Sequence, residues 1–465
     1  MVERARSPFD PSIEDMRAMG AEVVDFVTRF IDDRYEAPIS DYSHLEPLLA
    51  ALSKPPPADP TALSGLLATI ETAAGKGFDP ANPGFVAYIP GGGLYASALA
   101  DFVACAINRY TGLALPAPAL VQMEASILRW LCDLFGLPET SQGVLTPGGS
   151  ISNLSAIVTA RSALGEDFSE GIIYVSDEVH HSVAKSARIA GLPGGAVRVL
   201  ASDDLLRMDP DALIKAVADD RAKGRKPFMV VSSAGTINTG AIDPLSDVAD
   251  VAQEEGLWFH VDGAYGGFFQ LTERGRGRLR GIERADSITL DPHKGLFLPY
   301  GTGCLLVRDG DALRKAHEVH AHYLPQPSEE AGLPDFASFS PELTRDFRGL
   351  RLWLPLHLHG VDAFVRALDE KLDLASFVYD ELSALPRVTV PWTPELSLVA
   401  FRPESRNGAE AAAWLEHINS SGRMWLSSAP IRGDTHLRIC ILSHRSHPER
   451  IHEGIEIIRA VVEQS

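Results

Sequence analysis

The chain has 465 residues, 45% of them hydrophobic and 22% charged, and a formal net charge of −20. That length exceeds one ordinary core and predicts two or three domains, and the acidic balance excludes a nucleic-acid or anionic-membrane surface, which needs a basic patch. Cys105, Cys132, Cys304 and Cys440 lie far apart without metal-ligand or CxxC spacing, and no apolar run approaches the roughly 20 residues of a membrane span, so a cytoplasmic protein with reduced thiols and no bound metal is expected.

Residues 12–34 place Ile13, Met16, Met19, Val23, Val24, Val27 and Phe30 at helical spacing. The proline-rich stretch Lys54–Pro60 marks a linker, and a short helix follows over 61–73. This segment, residues 1–80, carries too little apolar surface to stand alone and is expected to pack on the main domain or on a second subunit. Asn82–Gly93 reads as a rigid, turn-rich loop bearing Phe85 and Tyr88, followed by helices over 94–109 and 118–135. Strand and helix then alternate, with strands expected at 171–176, 196–200, 227–233, 257–261, 286–290 and 303–307. They are continuous apolar runs, as in a sheet covered on both faces, so residues 81–310 are expected to form a large α/β domain. Residues 311–346 lack periodicity and are expected to be a long mobile loop. Helices at 348–359, 361–384, 408–421 and 447–463, with strands in 388–401 and at 436–442, complete a smaller α+β domain over 347–465.

Four stretches carry candidate chemistry. Lys294, in Asp291-Pro292-His293-Lys294-Gly295, lies between two apolar strands, where burial disfavours a free ammonium. It either reaches solvent or is held as an imine with a carbonyl cofactor. Gly148-Gly149-Ser150 opens a helix, where free N–H groups suit an anion or simply a tight turn; without GxGxxG or a following Lys, a nucleotide is disfavoured. His180 follows a strand at the sheet edge where ligands bind in open α/β folds, and a flat ring could stack there, although a surface His fits as well. Asp262, flanked by Gly263 and Ala264, is a carboxylate in an apolar stretch that needs a partner, either a structural cation or a protonated ring nitrogen.

The order Gly148-Gly149-Ser150, His180, Asp262-x-Ala264 and His293-Lys294, with Arg348-Gly349-Leu350-Arg351-Leu352-Trp353 downstream, resembles the pyridoxal-phosphate-dependent group II amino-acid decarboxylases from about Asn82 to Gly360. The resemblance implies a fold-type-I α/β protein with a mostly parallel seven-stranded sheet, and a homodimer with active sites at the subunit interface. It also implies pyridoxal 5'-phosphate on Lys294, with Asp262 at the ring nitrogen, His180 stacked on the ring and Ala264 beneath it. Gly148, Gly149 and Ser150 would hold the phosphate, with Thr236 and His293 nearby. The implied reaction is decarboxylation of an L-amino acid to its amine through a quinonoid, with Phe85, Tyr88, Leu94 and the loop residues Tyr323 and Phe336 as candidate pocket residues. Two departures stand out. Gly295 replaces the Trp that follows the Lys in aromatic-amino-acid decarboxylases. Reading back without gaps from Phe347-Arg348, Phe336 stands where these enzymes carry a proton-donating loop Tyr, and in plant relatives that exchange accompanies oxidative release of an aldehyde. The alternatives are therefore aldehyde synthesis, or an aminotransferase or other lyase on the same fold.

Overall fold

The structure, a computed structural model, describes residues 9–318 and 332–464. Tyr323 falls outside them. Helix α1 (Ile13–Asp32) starts at Ser12, whose hydroxyl accepts from the Asp15 N–H while the Asp15 carboxylate accepts from the Ser12 N–H. Helices α2 (Leu45–Leu52) and α3 (Leu63–Ala74) follow, beside an antiparallel ribbon of β1 (Ser40–Asp41) and β2 (Gly77–Phe78). The sequence did not signal α2, yet Pro47 lies in its first turn, where no intrahelical N–H is needed. None of these three helices buries a residue, and Ile13, Met16 and Ile70 remain about half exposed.

Helices α4 (Tyr95–Ile107) and α5 (Pro118–Leu134) lead into the central sheet. Its strands are β3 (Gln142–Thr146), β4 (Gly171–Ser176), β5 (Val197–Leu200), β6 (Lys226–Ser233), β7 (Trp258–Gly263), β8 (Ser287–Leu290) and β9 (Gly303–Val307), in the spatial order β3-β9-β8-β7-β6-β4-β5. Strands β4 to β8 pair in parallel, while β9 runs against both β8 and β3. Strand β3 therefore points the same way as β4 to β8, and their C-terminal ends open on one edge. Consecutive residues of β4, β8 and β9 are all buried, so both faces of the sheet are covered.

A second sheet, ordered β10-β11-β13-β12, is antiparallel: β10 (Val388–Thr389), β11 (Leu398–Pro403), β12 (Ser427–Ile431) and β13 (Asp434–Cys440). Helices Val361–Ser383, Gly408–Ser420 and Pro448–Gln464 share a core with it around Phe401, Trp414 and Ile439. Strand β12 was hidden in the sequence by Pro430, which an edge strand accommodates.

Of the stretch expected to be one loop over 311–346, residues 311–318 and 332–346 are described. Gly310–His317 is a helix, because the Asp309 carboxylate accepts from the N–H groups of Asp311 and Ala312 at 3.0 and 3.3 Å and Leu313 anchors it in the core. Asp309→Ala should cost about 1 kcal/mol, read as a lower denaturation midpoint with unchanged slope. Phe336 is fully buried in the main core.

Candidate active site

The C-terminal edge of the sheet forms a cavity of about 410 Å³. Lys294, Asp262, His180, Gly148, Gly149, Ser150, Thr236, Ala264 and His293 all line it. They come from the ends of β7 and β8, the turns after β4 and β6, and the start of helix α6 (Gly149–Ser162), which follows β3. Each strand ends where a buried apolar run stops, so the side chains just beyond it meet on one edge.

Asp262, 7% exposed, accepts from Asn153 Nδ2 at 2.9 Å through Oδ2 and from the Ala264 N–H at 3.1 Å through Oδ1. Asn153, one turn into α6 and 1% exposed, also donates to Ser182 Oγ at 2.9 Å. Its Oδ1 lies 3.0 Å from His260 Nε2, and His260 Nδ1 lies 2.7 Å from Ser287 Oγ, which accepts from Trp258 Nε1. An amide oxygen can only accept, so His260 carries its proton on Nε2 and accepts a hydrogen bond from the Ser287 hydroxyl at Nδ1. Burial pushes the His260 pKa down to about 4, which keeps this ring neutral. The same logic fixes His180. Its Nδ1 accepts from the Ser182 N–H at 3.2 Å and faces the Ser182 hydroxyl at 2.7 Å, which leaves the proton on Nε2. Burial lowers the His180 pKa as well.

Lys294 sits in a single turn, Pro292–Gly295, with Nζ 2.9 Å from Asp291 Oδ2. Burial alone would lower its pKa, but Asp291, with Asp262 behind it, holds the amine above its ordinary value. Beside it, His293 Nδ1 donates to the Thr302 carbonyl at 2.7 Å. Two glycines sit in close packing, tighter at Gly295 than at Gly149. A Cβ at Gly149 would lie 3.1 Å from Asp291 Oδ2 and 3.3 Å from the Ala264 Cβ, and one at Gly295 would lie 2.6 Å from the Phe268 Cβ. Phe268 thus fills the space that a side chain at 295 would need.

The proposed pocket residues lie elsewhere. Phe85 is buried against Ile39 and Ala87, and Tyr88, with a left-handed φ of 53°, is exposed beside it. Leu94 packs on the main core at the start of α4. Phe336 lies under Arg345, away from the cavity. None of these four lines the cavity of its own chain. Conversely, the sequence assigns no role to Asn153, and Asp291 appears in it only as a flank of Lys294.

A lysine amine and a buried carboxylate in one cleft, with a helix N-terminus and small residues between, define an enzyme of the fold-type-I class built around a carbonyl cofactor. The chain belongs to the pyridoxal-dependent decarboxylases, whose conserved domain matches residues 51–404. It is 31% identical to an aromatic-L-amino-acid decarboxylase of Bacillus atrophaeus, covering 97% of this chain and 96% of that one. It is 27% identical to a phenylacetaldehyde synthase of Arabidopsis thaliana, covering 96% and 95%. The crystal structure of Oryza sativa TDC with PLP and tryptamine superposes with a TM-score of 0.93 at 25% identity, over 99% of both chains. The protein is a pyridoxal-phosphate-dependent carboxy-lyase acting on an amino acid. The residues present fit the cofactor: a Cβ at Gly149 would crowd Asp291 and Ala264, the first turn of α6 offers free N–H groups, and Lys294 supplies the amine. Among the described residues, no helix is long and apolar enough to cross a membrane.

Proposed function

We propose that Lys294, Asp262 and His180 carry the decarboxylation of an aromatic L-amino acid to its amine, a reading supported above all by the amine and the buried carboxylate sharing one cavity. Bound pyridoxal phosphate supplies the electron sink that lets the carboxylate leave as carbon dioxide. Asp262 would hold a proton at the ring nitrogen, and the Asn153 donor keeps that carboxylate aimed. His180, neutral and fixed in one tautomer by Ser182, presents a flat uncharged face. Gly148, Gly149 and Ser150 take the phosphate at the positive end of α6, with Thr236 and His293 beside it. Ala264 leaves room beneath the ring.

The aromatic substrate rests on the names of the relatives, including the Bacillus atrophaeus enzyme. A panel of L-amino acids assayed for carbon dioxide, amine and oxygen uptake tests it. Carbon dioxide with equimolar amine from aromatic substrates is the expected result. Oxygen uptake with peroxide would favour aldehyde synthesis, and no carbon dioxide with an accumulated pyridoxamine form would favour an aminotransferase. The aldehyde reading stood on Phe336 in a mobile loop, and its buried ring does not support that placement.

Asn153→Ala removes a charge-assisted bond to Asp262, about 1.5–3 kcal/mol, so the cofactor should be released roughly 10–100-fold more readily in equilibrium dialysis. The half-exposed apolar side chains of α1 to α3, continued by Phe102 (69% exposed) on α4, support a homodimer that covers them. Light scattering should return twice the chain mass. Tyr88 and Leu94 would then bear on substrate only through the second subunit, while Phe85 is buried in its own chain. Three buried free cysteines and one exposed support a reducing, cytoplasmic setting. Resistance of the protein to thiol reductants and sensitivity of Cys105 to alkylation would agree with that.

A further inference from the structure

Asp291 is 3% exposed and unused by the roles above. It occupies the N-cap position of the turn that carries Lys294, where an Asp ordinarily accepts from a backbone N–H, yet its side chain makes no cap bond. Oδ2 instead meets Lys294 Nζ at 2.9 Å, and Oδ1 is buried with no hydrogen-bond partner. Both oxygens lie against the first turn of α6, within 3.1 and 3.3 Å of where a Cβ of Gly149 would stand. A carboxylate gives up its cap and leaves one oxygen unsatisfied only if the remaining contact is worth more, and a charge-assisted bond to an ammonium in a covered site is such a contact.

We infer that Asp291 is a positioning residue that holds the Lys294 amine as an ammonium whenever that nitrogen is not bonded to cofactor, so that cofactor capture waits on a proton leaving the pair. The inference rests on Lys294 being the cofactor lysine. The step balances without a co-reactant. The ammonium releases one proton to Asp291 or to water, and the freed lone pair bonds the aldehyde carbon. The carbonyl oxygen departs as water. Other groups face the pair from every side. Asp262 on β7 adds to the hold on the ammonium. His180 and, 3.8 Å from Oδ2, His293 are kept neutral by burial. Cys304 on β9 and Cys440 on β13 are thiols whose pKa values burial raises, and Tyr300 stands over His293 with its phenol raised likewise. Of these neighbours Asp291 alone touches the amine.

The test uses the full-length protein stripped of cofactor. Lys294 is labelled with acetic anhydride across a pH series and its midpoint read by peptide mass spectrometry. The wild-type midpoint should lie above the ordinary lysine value of about 10.4. In Asp291→Asn, where burial is left unopposed by the adjacent charge, it should fall by at least about one pH unit. Added pyridoxal phosphate should then restore the absorbance of lysine-bound cofactor roughly tenfold faster at neutral pH for each unit of fall. Asp291→Glu, which keeps the charge, should stay near wild type. A wild-type midpoint below the ordinary value, or an unshifted Asp291→Asn, would overturn the inference. The wild-type midpoint decides the matter even if the Asn variant does not fold. Failure of wild type to bind cofactor at any pH would instead remove the role given to Lys294, while the labelling midpoints still judge Asp291.

Discussion

Lys294→Ala should lower turnover by at least roughly 10⁴-fold and abolish the absorbance of lysine-bound cofactor, with the fold retained. The size of the loss follows from the place of the amine. It is the nucleophile offered to the cofactor aldehyde from within the cavity, and among the described residues no other lysine lines that cavity. Stability should fall too, because the substitution strips Asp291 of its cation. Breaking a fully buried pair costs roughly 3–5 kcal/mol; here the cost should be smaller, since the Lys294 side chain keeps 21% of its exposure. The pH dependence separates the two effects. The amine is raised above its ordinary 10.5, so its stabilising contribution is fully present below that value. It is lost only as pH rises through the raised value. Wild type and variant should therefore differ by a constant amount through neutral pH and converge in the alkaline range. Spectroscopic loss without a change in melting would leave the chemistry assignment intact but contradict the ion pair.

How far the sequence reached depends on whether a feature is local. Six of the seven large-sheet strands were legible as runs of consecutive apolar residues, because covering both faces forces every position to be buried. Lys294, Asp262, His180 and the Gly148–Ser150 turn were visible because each sits just past such a run, where the chain must leave the core. Asn153 was not, since its meaning lies in Asp262, 109 residues away, and in the histidine behind it. Asp291 was read only as part of a motif, and nothing in the motif says that its carboxylate forgoes the cap for the amine. Strand β12 and helix α2 were hidden by prolines that an edge strand and a first helical turn tolerate. Phe336 is a different case: an ungapped count set it against the family's loop position, but position along a chain does not report burial, and the ring is buried.

Phe336 should behave as a core residue. Its ring is fully buried beneath the Arg345 guanidinium, 5.0 Å from the ring centroid. Neighbouring backbone pins the segment. The Asp335 carboxylate accepts from the Ala114 N–H at 2.6 Å, and the Ala337 N–H donates to the Gly112 carbonyl at 2.9 Å. Arg345 pairs with Glu124 at 2.6 Å, both side chains being wholly buried, and the pair must stay intact because either charge alone would be stranded. Phe336→Ala opens a cavity beside that pair and should cost roughly 3–5 kcal/mol, seen as a large fall in denaturation midpoint. Phe336→Tyr adds a hydroxyl to an apolar, close-packed site and should cost roughly 1–3 kcal/mol. Neither substitution should alter the ratio of amine to aldehyde among the products, since a ring buried within one chain reaches neither its own cavity nor a partner's. A Phe336→Tyr enzyme that melts like wild type and shifts its products toward amine would show the ring at the reacting carbon, and the purely structural role would be wrong.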